Sequence, residues 1–285
     1  MSQAALETPT FAQQIREDIA ANRIQLPTLP EVALRVREAV ESENSNAAEV
    51  AAVVTQDPAL TARLLQVANS PLYRGRSPID DVQMAITRMG LRLVKNLVLS
   101  LAMKQMFQAT SDALDKAFRQ VWNDSVEVAA IARVLAQGLR GLEPEQAMLG
   151  GLIHNIGALP VLTRLDCELG FDVQGETVQR LLAEIAPALG REMLEQWEFA
   201  PELSEIPTAC LELDRERPEA DYADLVLVAR LQHLASSGRS DEHTCMLRWE
   251  EYSAFARVGI ETEVMVLEME GPAEQVAEVR EMLNG

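Results

Sequence analysis

The side chains that most readily act as nucleophiles, acid–base groups or soft metal ligands are few: three histidines, His154, His233 and His243, and three cysteines, Cys167, Cys210 and Cys245. The cysteines lie far apart and form no CxxC pair, which argues against a disulfide framework or a thiolate zinc site and fits a reducing cytosol. His233 and His243 are isolated and read as surface residues. His154 reads as a helix-borne imidazole whose nitrogens are hydrogen-bonded inside the domain. Anion recognition has more to work with. Arg74 and Arg76 flank Gly75 in the short loop SPLYRGRSP, a shape suited to phosphate contact, and Arg88, Arg92 and Lys95 follow at spacings of four and three. A helix running through Gly90 would bring those three cations to one face as an anion or partner surface; a helix stop at Gly90 would separate them. Trp122, Trp197 and Trp249 read as packing anchors.

The elements that must hold these residues are helices. Thr10 is a candidate cap for a first helix to about Ile24, and the LPTLP turn follows, with Pro30 as a first helical residue ahead of EVALRVREAV. Asn46 and Glu49 have capping-box spacing. Asp57-Pro58 joins an N-cap to a first-turn proline and opens a helix from Ala59 to about Asn69. The next helix, from about Asp80 to Met89, stops at Gly90, read as a left-handed C-cap, and another runs from about Leu91 to Phe107. Predicted helices then cover about 114–138, 144–155, 176–197, 201–212 and 219–236. The last stretch holds three short amphipathic pieces, of which TEVMVLEM could pass for a strand, although its tandem acids favour helix. The polar run QATSDALD marks a boundary. The expectation is an all-α fold with an N-terminal helical lobe (1–110), a second helical lobe (111–240) and a short helical tail (241–285).

Composition excludes several classes. With 48% hydrophobic but only 4% aromatic residues, the core must be built mainly from aliphatic side chains and Met. The longest apolar stretch, Leu91 to Met103, contains Arg92, Lys95 and Asn96 and falls short of the roughly 20 residues that span a bilayer, and the N-terminus has no secretion-signal pattern. A cytoplasmic protein is expected. Residues 1–110 hold 11 basic and 11 acidic side chains, whereas residues 111–285 hold 14 basic and 33 acidic, so the whole net charge of −19 lies in the second part. That disfavours general nucleic-acid binding, which needs cations to displace phosphate counterions. Between Arg63 and Lys104 only Asp80 and Asp81 oppose seven cations, so an acidic partner would meet the first lobe.

Residues 26–103, with the proline turn, QDPALTARLL, ANSPLY and AITRMGLRLVKNL in order, resemble the first half of an HDOD domain. The likeness continues through VWNDSVEVAAIARVLA, AMLGGLIHNIGALPVL and GREMLEQWEFAPEL, covering roughly residues 20–235. HDOD domains are helical relatives of the HD phosphohydrolases, which hold metals with a His, a His-Asp pair and a later Asp. The resemblance places Asp124 at the first His, His154-Asn155 at the pair and Ala229-Arg230 at the final Asp. Where metal-binding relatives carry further His, the chain offers Ala186, Cys210 and Leu211. An amide cannot supply the carboxylate's charge, and an arginine opposes a bound cation. The resemblance therefore implies a degenerate HD-like second lobe with no metal, no cofactor and no catalysis, with Asp124, Asn155 and Arg230 forming a polar cluster or ion pair. It implies a bacterial signal-transduction module whose signalling protein partner is a separate chain, with a phosphohydrolase or a nucleotide (cyclic-dinucleotide) receptor as rival readings.

Overall fold

The structure is a computed structural model that describes residues 8–21, 23, 28–42, 44–75, 77–107, 111–168, 176–238 and 246–284. The first six helices are α1 (Thr8–Ala20), α2 (Glu31–Glu41), α3 (Ala47–Val54), α4 (Pro58–Ala68), α5 (Val82–Met89) and α6 (Leu91–Met103). A long helix, α7 (Asp112–Ala136), follows, with α8 (Pro144–Ile153), α9 (Ala158–Glu168), α10 (Glu176–Gln196), α11 (Pro201–Ser204), α12 (Ile206–Ala209) and α13 (Tyr222–Ser236). The tail adds α14 (Ser253–Val258) and α15 (Pro272–Asn284). Among the described residues there is no strand, and no helix is long and apolar enough to cross a membrane.

The helix starts follow their caps. Asn46 Oδ1 accepts from Glu49 N at 3.0 Å, and Asp57 Oδ1 accepts from Leu60 N at 3.0 Å with Pro58 opening α4. Asp81 does the same for α5, and Asp221 with Asp224 forms a reciprocal capping box at α13. Other expectations shift. Thr10 lies inside α1 rather than capping it. Pro30 is the N-cap of α2, its ψ of 137° being extended. Gly90 has φ 89° and ψ 153°, outside the left-handed helical region, and serves at once as the end of α5 and the start of α6. Helix α9, across ALPVLTRLDCE, was not among the expected elements, and the expected helix over 201–212 is two short ones, since Pro207 has no N–H to continue the ladder. TEVMVLEM holds a 3-10 turn, Val266–Glu268. Leu26 and Pro27 of the proline turn lie outside the described residues.

Beside a small second cluster of Ala68, Ile79 and Ala85, one large apolar cluster extends from Phe11 to Leu283. Helix α7 is its axis, packed by α8, α9, α13 and α15. Side-chain clamps pin the loop between α4 and α5 and join it to α7 and α8. Asn69 donates to Ile79 O and accepts from Ile79 N, closing the loop between α4 and α5, and Tyr73 from that loop donates to Glu145 of α8 while the Arg133 guanidinium of α7 bonds the same carboxylate and lies over the Tyr73 ring. The tail is fastened to both lobes. Asn284 at the end of α15 accepts from Lys104 and from Trp122 Nε1, and Gln232 of α13 bonds Val264 O and Val266 N, each at 3.0 Å. Trp122 and Trp249 are buried, the latter stacked on Phe255.

Candidate functional site

A cavity of about 310 Å³ opens where α7, the end of α8, α10 and α13 converge, closed on one side by Pro207, Cys210 and Leu211. Asp124, His154, Asn155 and Arg230, far apart in sequence, all line it. Glycine makes the convergence close. A Cβ on Gly151 would stand 2.3 Å from Ala129 Cα, and one on Gly157 would stand 2.0 Å from Ala186 O, so α8 lies directly on α7 and the turn after His154-Asn155 lies directly on α10.

His154 caps α8, and its Nδ1 is 2.6 Å from Gly151 O. A carbonyl only accepts, so Nδ1 carries the hydrogen and Nε2 is left as an acceptor. Burial pushes the imidazole down to a pKa of about 4; the nearby Arg230 charge adds to this, while the Gly151 bond and Asp124 oppose it. The ring is neutral at neutral pH. The sign of the pH effect follows: the unfolded imidazole, near 6.5, takes up a proton that the folded one refuses, so stability falls as pH drops from about 6.5 toward 4. Between pH 7 and pH 5 the wild type should lose about 2 kcal/mol more than a His154→Gln variant in urea titrations. Equal losses in the two proteins would show that the imidazole is not held neutral.

Asp124 is engaged elsewhere than with Arg230. Its Oδ1 accepts from Gln120 Nε2 at 3.1 Å, one helical turn earlier, and stands 3.0 Å from His233 Nε2. The Asp124–Arg230 ion pair is therefore not formed; Arg230 makes no hydrogen bond or ion pair among the described residues. His233 corrects its reading as a surface residue: it is buried and belongs to the site. The signal was present, because YADLVLVARLQHLAS is apolar on nearly every face, and a helix apolar all round is buried. Its place three residues after Arg230 puts both on one face of α13.

The basic residues of the first lobe are placed differently. Gly90 separates α5 from α6, so the continuous-helix arrangement does not occur. Arg88 folds back to donate to Ser77 O, Arg92 pairs with Glu143 at 2.6 Å, and Lys95 pairs with Glu41 at 3.1 Å. Arg74 is exposed, while Arg76 and His243 lie outside the described residues.

The HDOD domain family model matches residues 26–210. The chain belongs to the HDOD family. A structure from Shewanella amazonensis SB2B, provisionally named a metal-dependent phosphohydrolase, is similar to this HDOD protein at 29% identity over 97% of this chain and 99% of that one, with a TM-score of 0.82. An HDOD domain protein of unknown function from Geobacter sulfurreducens shares the fold at 20% identity, TM-score 0.67, over 98% and 100% of the two chains. An uncharacterized protein of Treponema pallidum is 28% identical over 157 residues, 53% of this chain and 29% of its own length. The HDOD match stops before α13, yet α13 supplies Arg230 and His233 to the same cavity.

The residues present do not fit a hydrolytic metal. Asn155 brings a neutral amide, Asp124 is already hydrogen-bonded by two donors, and Arg230 adds a positive charge. Among the described residues, no three or more His, Cys, Asp or Glu side chains group closely enough to hold an ion, whereas hydrolytic sites need several fixed donors and an open position for water.

Proposed function

We propose that this HDOD protein is a non-catalytic regulatory module of bacterial signal transduction, working in the cytoplasm by binding a signalling protein. The observation that carries the reading is the cavity itself: where HD hydrolases need carboxylates around a metal, the chain sets Asn155 and Arg230, and the remaining carboxylate, Asp124, is bonded to His233. The Shewanella relative's name supports the rival reading, a metal-dependent phosphohydrolase. Elemental analysis of protein purified without chelator or immobilised-metal resin, with phosphodiesterase assays in manganese and iron, separates the two. Neither stoichiometric metal nor turnover is expected, and Asn155→Asp alone should not create activity, because the other positions remain altered. Turnover by the wild type would overturn the proposal. Affinity capture with mass spectrometry then identifies the partner.

A further inference from the structure

We propose that the cavity beside His154 is a receptor site for a small organic monoanion, its charged oxygens on the Arg230 guanidinium and an N–H or O–H of its body donating to His154 Nε2. The inference rests on the non-catalytic reading of the same cavity.

Arg230 is half-buried in the cavity wall, with no carboxylate and no hydrogen-bond acceptor as partner among the described residues. A cation drawn from bulk water without a counter-charge is costly. Arginine's planar fork matches a carboxylate or a phosphodiester through two parallel hydrogen bonds. The carboxylate best placed to neutralise it, Asp124, is instead bonded by His233 and Gln120. His154 supplies the complementary pole. Its Nδ1 is used by Gly151 O, which leaves a neutral ring with an Nε2 lone pair that no described residue satisfies. Val128, Leu182, Pro187 and Leu211 add apolar lining to the same cavity.

Size and charge narrow the class. A volume of about 310 Å³ is at the small end of ligand pockets, which run roughly 300–1,000 Å³. Arg230 is the lone arginine or lysine among the described lining residues and the Asp124 carboxylate lines the same cavity, so a second negative charge on the ligand would meet no counter-charge. A cyclic dinucleotide, with its two phosphodiesters, is poorly matched. A purine 3′,5′-cyclic monophosphate or a carboxylate of similar bulk is well matched.

Calorimetric titration of the full chain in EDTA at pH 7.5, with cyclic AMP and cyclic GMP in one arm and N-acetylated amino acids in the other, tests the site and distinguishes its two chemical sources. Saturable one-to-one binding is expected in one arm, with dianionic adenosine 5′-monophosphate weaker than its cyclic ester. Arg230→Gln should weaken binding about 10- to 100-fold, and Arg230→Lys, which keeps the charge but loses the fork, should weaken it too; circular dichroism verifies that both fold. Absence of binding in both arms at millimolar ligand, or affinity unchanged by Arg230→Gln, overturns the site. Replacing EDTA with manganese tells the two failures apart. Hydrolysis of the cyclic ester would overturn the non-catalytic reading, whereas no binding and no hydrolysis removes only the anion site.

Discussion

Asp224→Ala should destabilise the protein by about 3–5 kcal/mol, with a fall in melting temperature on the order of 10 °C. Asp224 is fully buried at the start of α13. Its carboxylate accepts from Arg215 at 2.7 Å and from Arg257 at 2.7 and 2.8 Å, and it also bonds back to Asp221 N in the capping box. Arg215 is itself buried and would keep only Asp221, while Arg257, which ties α14 to α13, would keep only Ser253. Removing one member of such a group leaves buried positive charge uncompensated, and that is costlier than the net worth of the pair. The damage should reach the site, since α13 also carries Arg230 and His233. Denaturant titration of Asp224→Ala decides the matter: a loss under about 1 kcal/mol would mean that water replaces the carboxylate without penalty.

Gly157→Ala should cost at least about 3 kcal/mol, the upper end of the usual range for overpacking. The added methyl would meet Ala186 O at 2.0 Å and Gly190 N at 2.4 Å, both backbone atoms of α10. No rotamer change relieves such a clash, so α10 must move away from the His154-Asn155 turn and widen the cavity. Gly150→Ala is the control. Its methyl would meet the mobile end of Ile206, Cδ1 at 2.7 Å, so its cost should stay near 1 kcal/mol. Denaturation midpoints should rank Gly157→Ala well below Gly150→Ala and the wild type; equal midpoints would show that α10 tolerates the displacement.

The caps at Asn46 and Asp57, the break at Gly90 and most helices of both lobes were legible in the sequence, because a cap or a stop depends on residues within one turn of itself. The HDOD motif order carried the family and, with it, the positions Asp124, His154, Asn155 and Arg230, which the fold brings to one cavity. Helix α9 escaped because ALPVLTRLDCE has a proline near its start and no distinct cap ahead of it. What local pattern could not decide was pairing across the fold. Whether Asp124 would meet Arg230 or His233 depends on how α13 is rotated against α7, and the packing turned His233 toward it. Likewise, the cations of the first lobe looked like an open field when counted along the chain, yet Glu41 and Glu143, from α2 and from the residue before α8, fold against Lys95 and Arg92. Charge along a chain is additive, but the field at a surface depends on distances that only the tertiary packing sets.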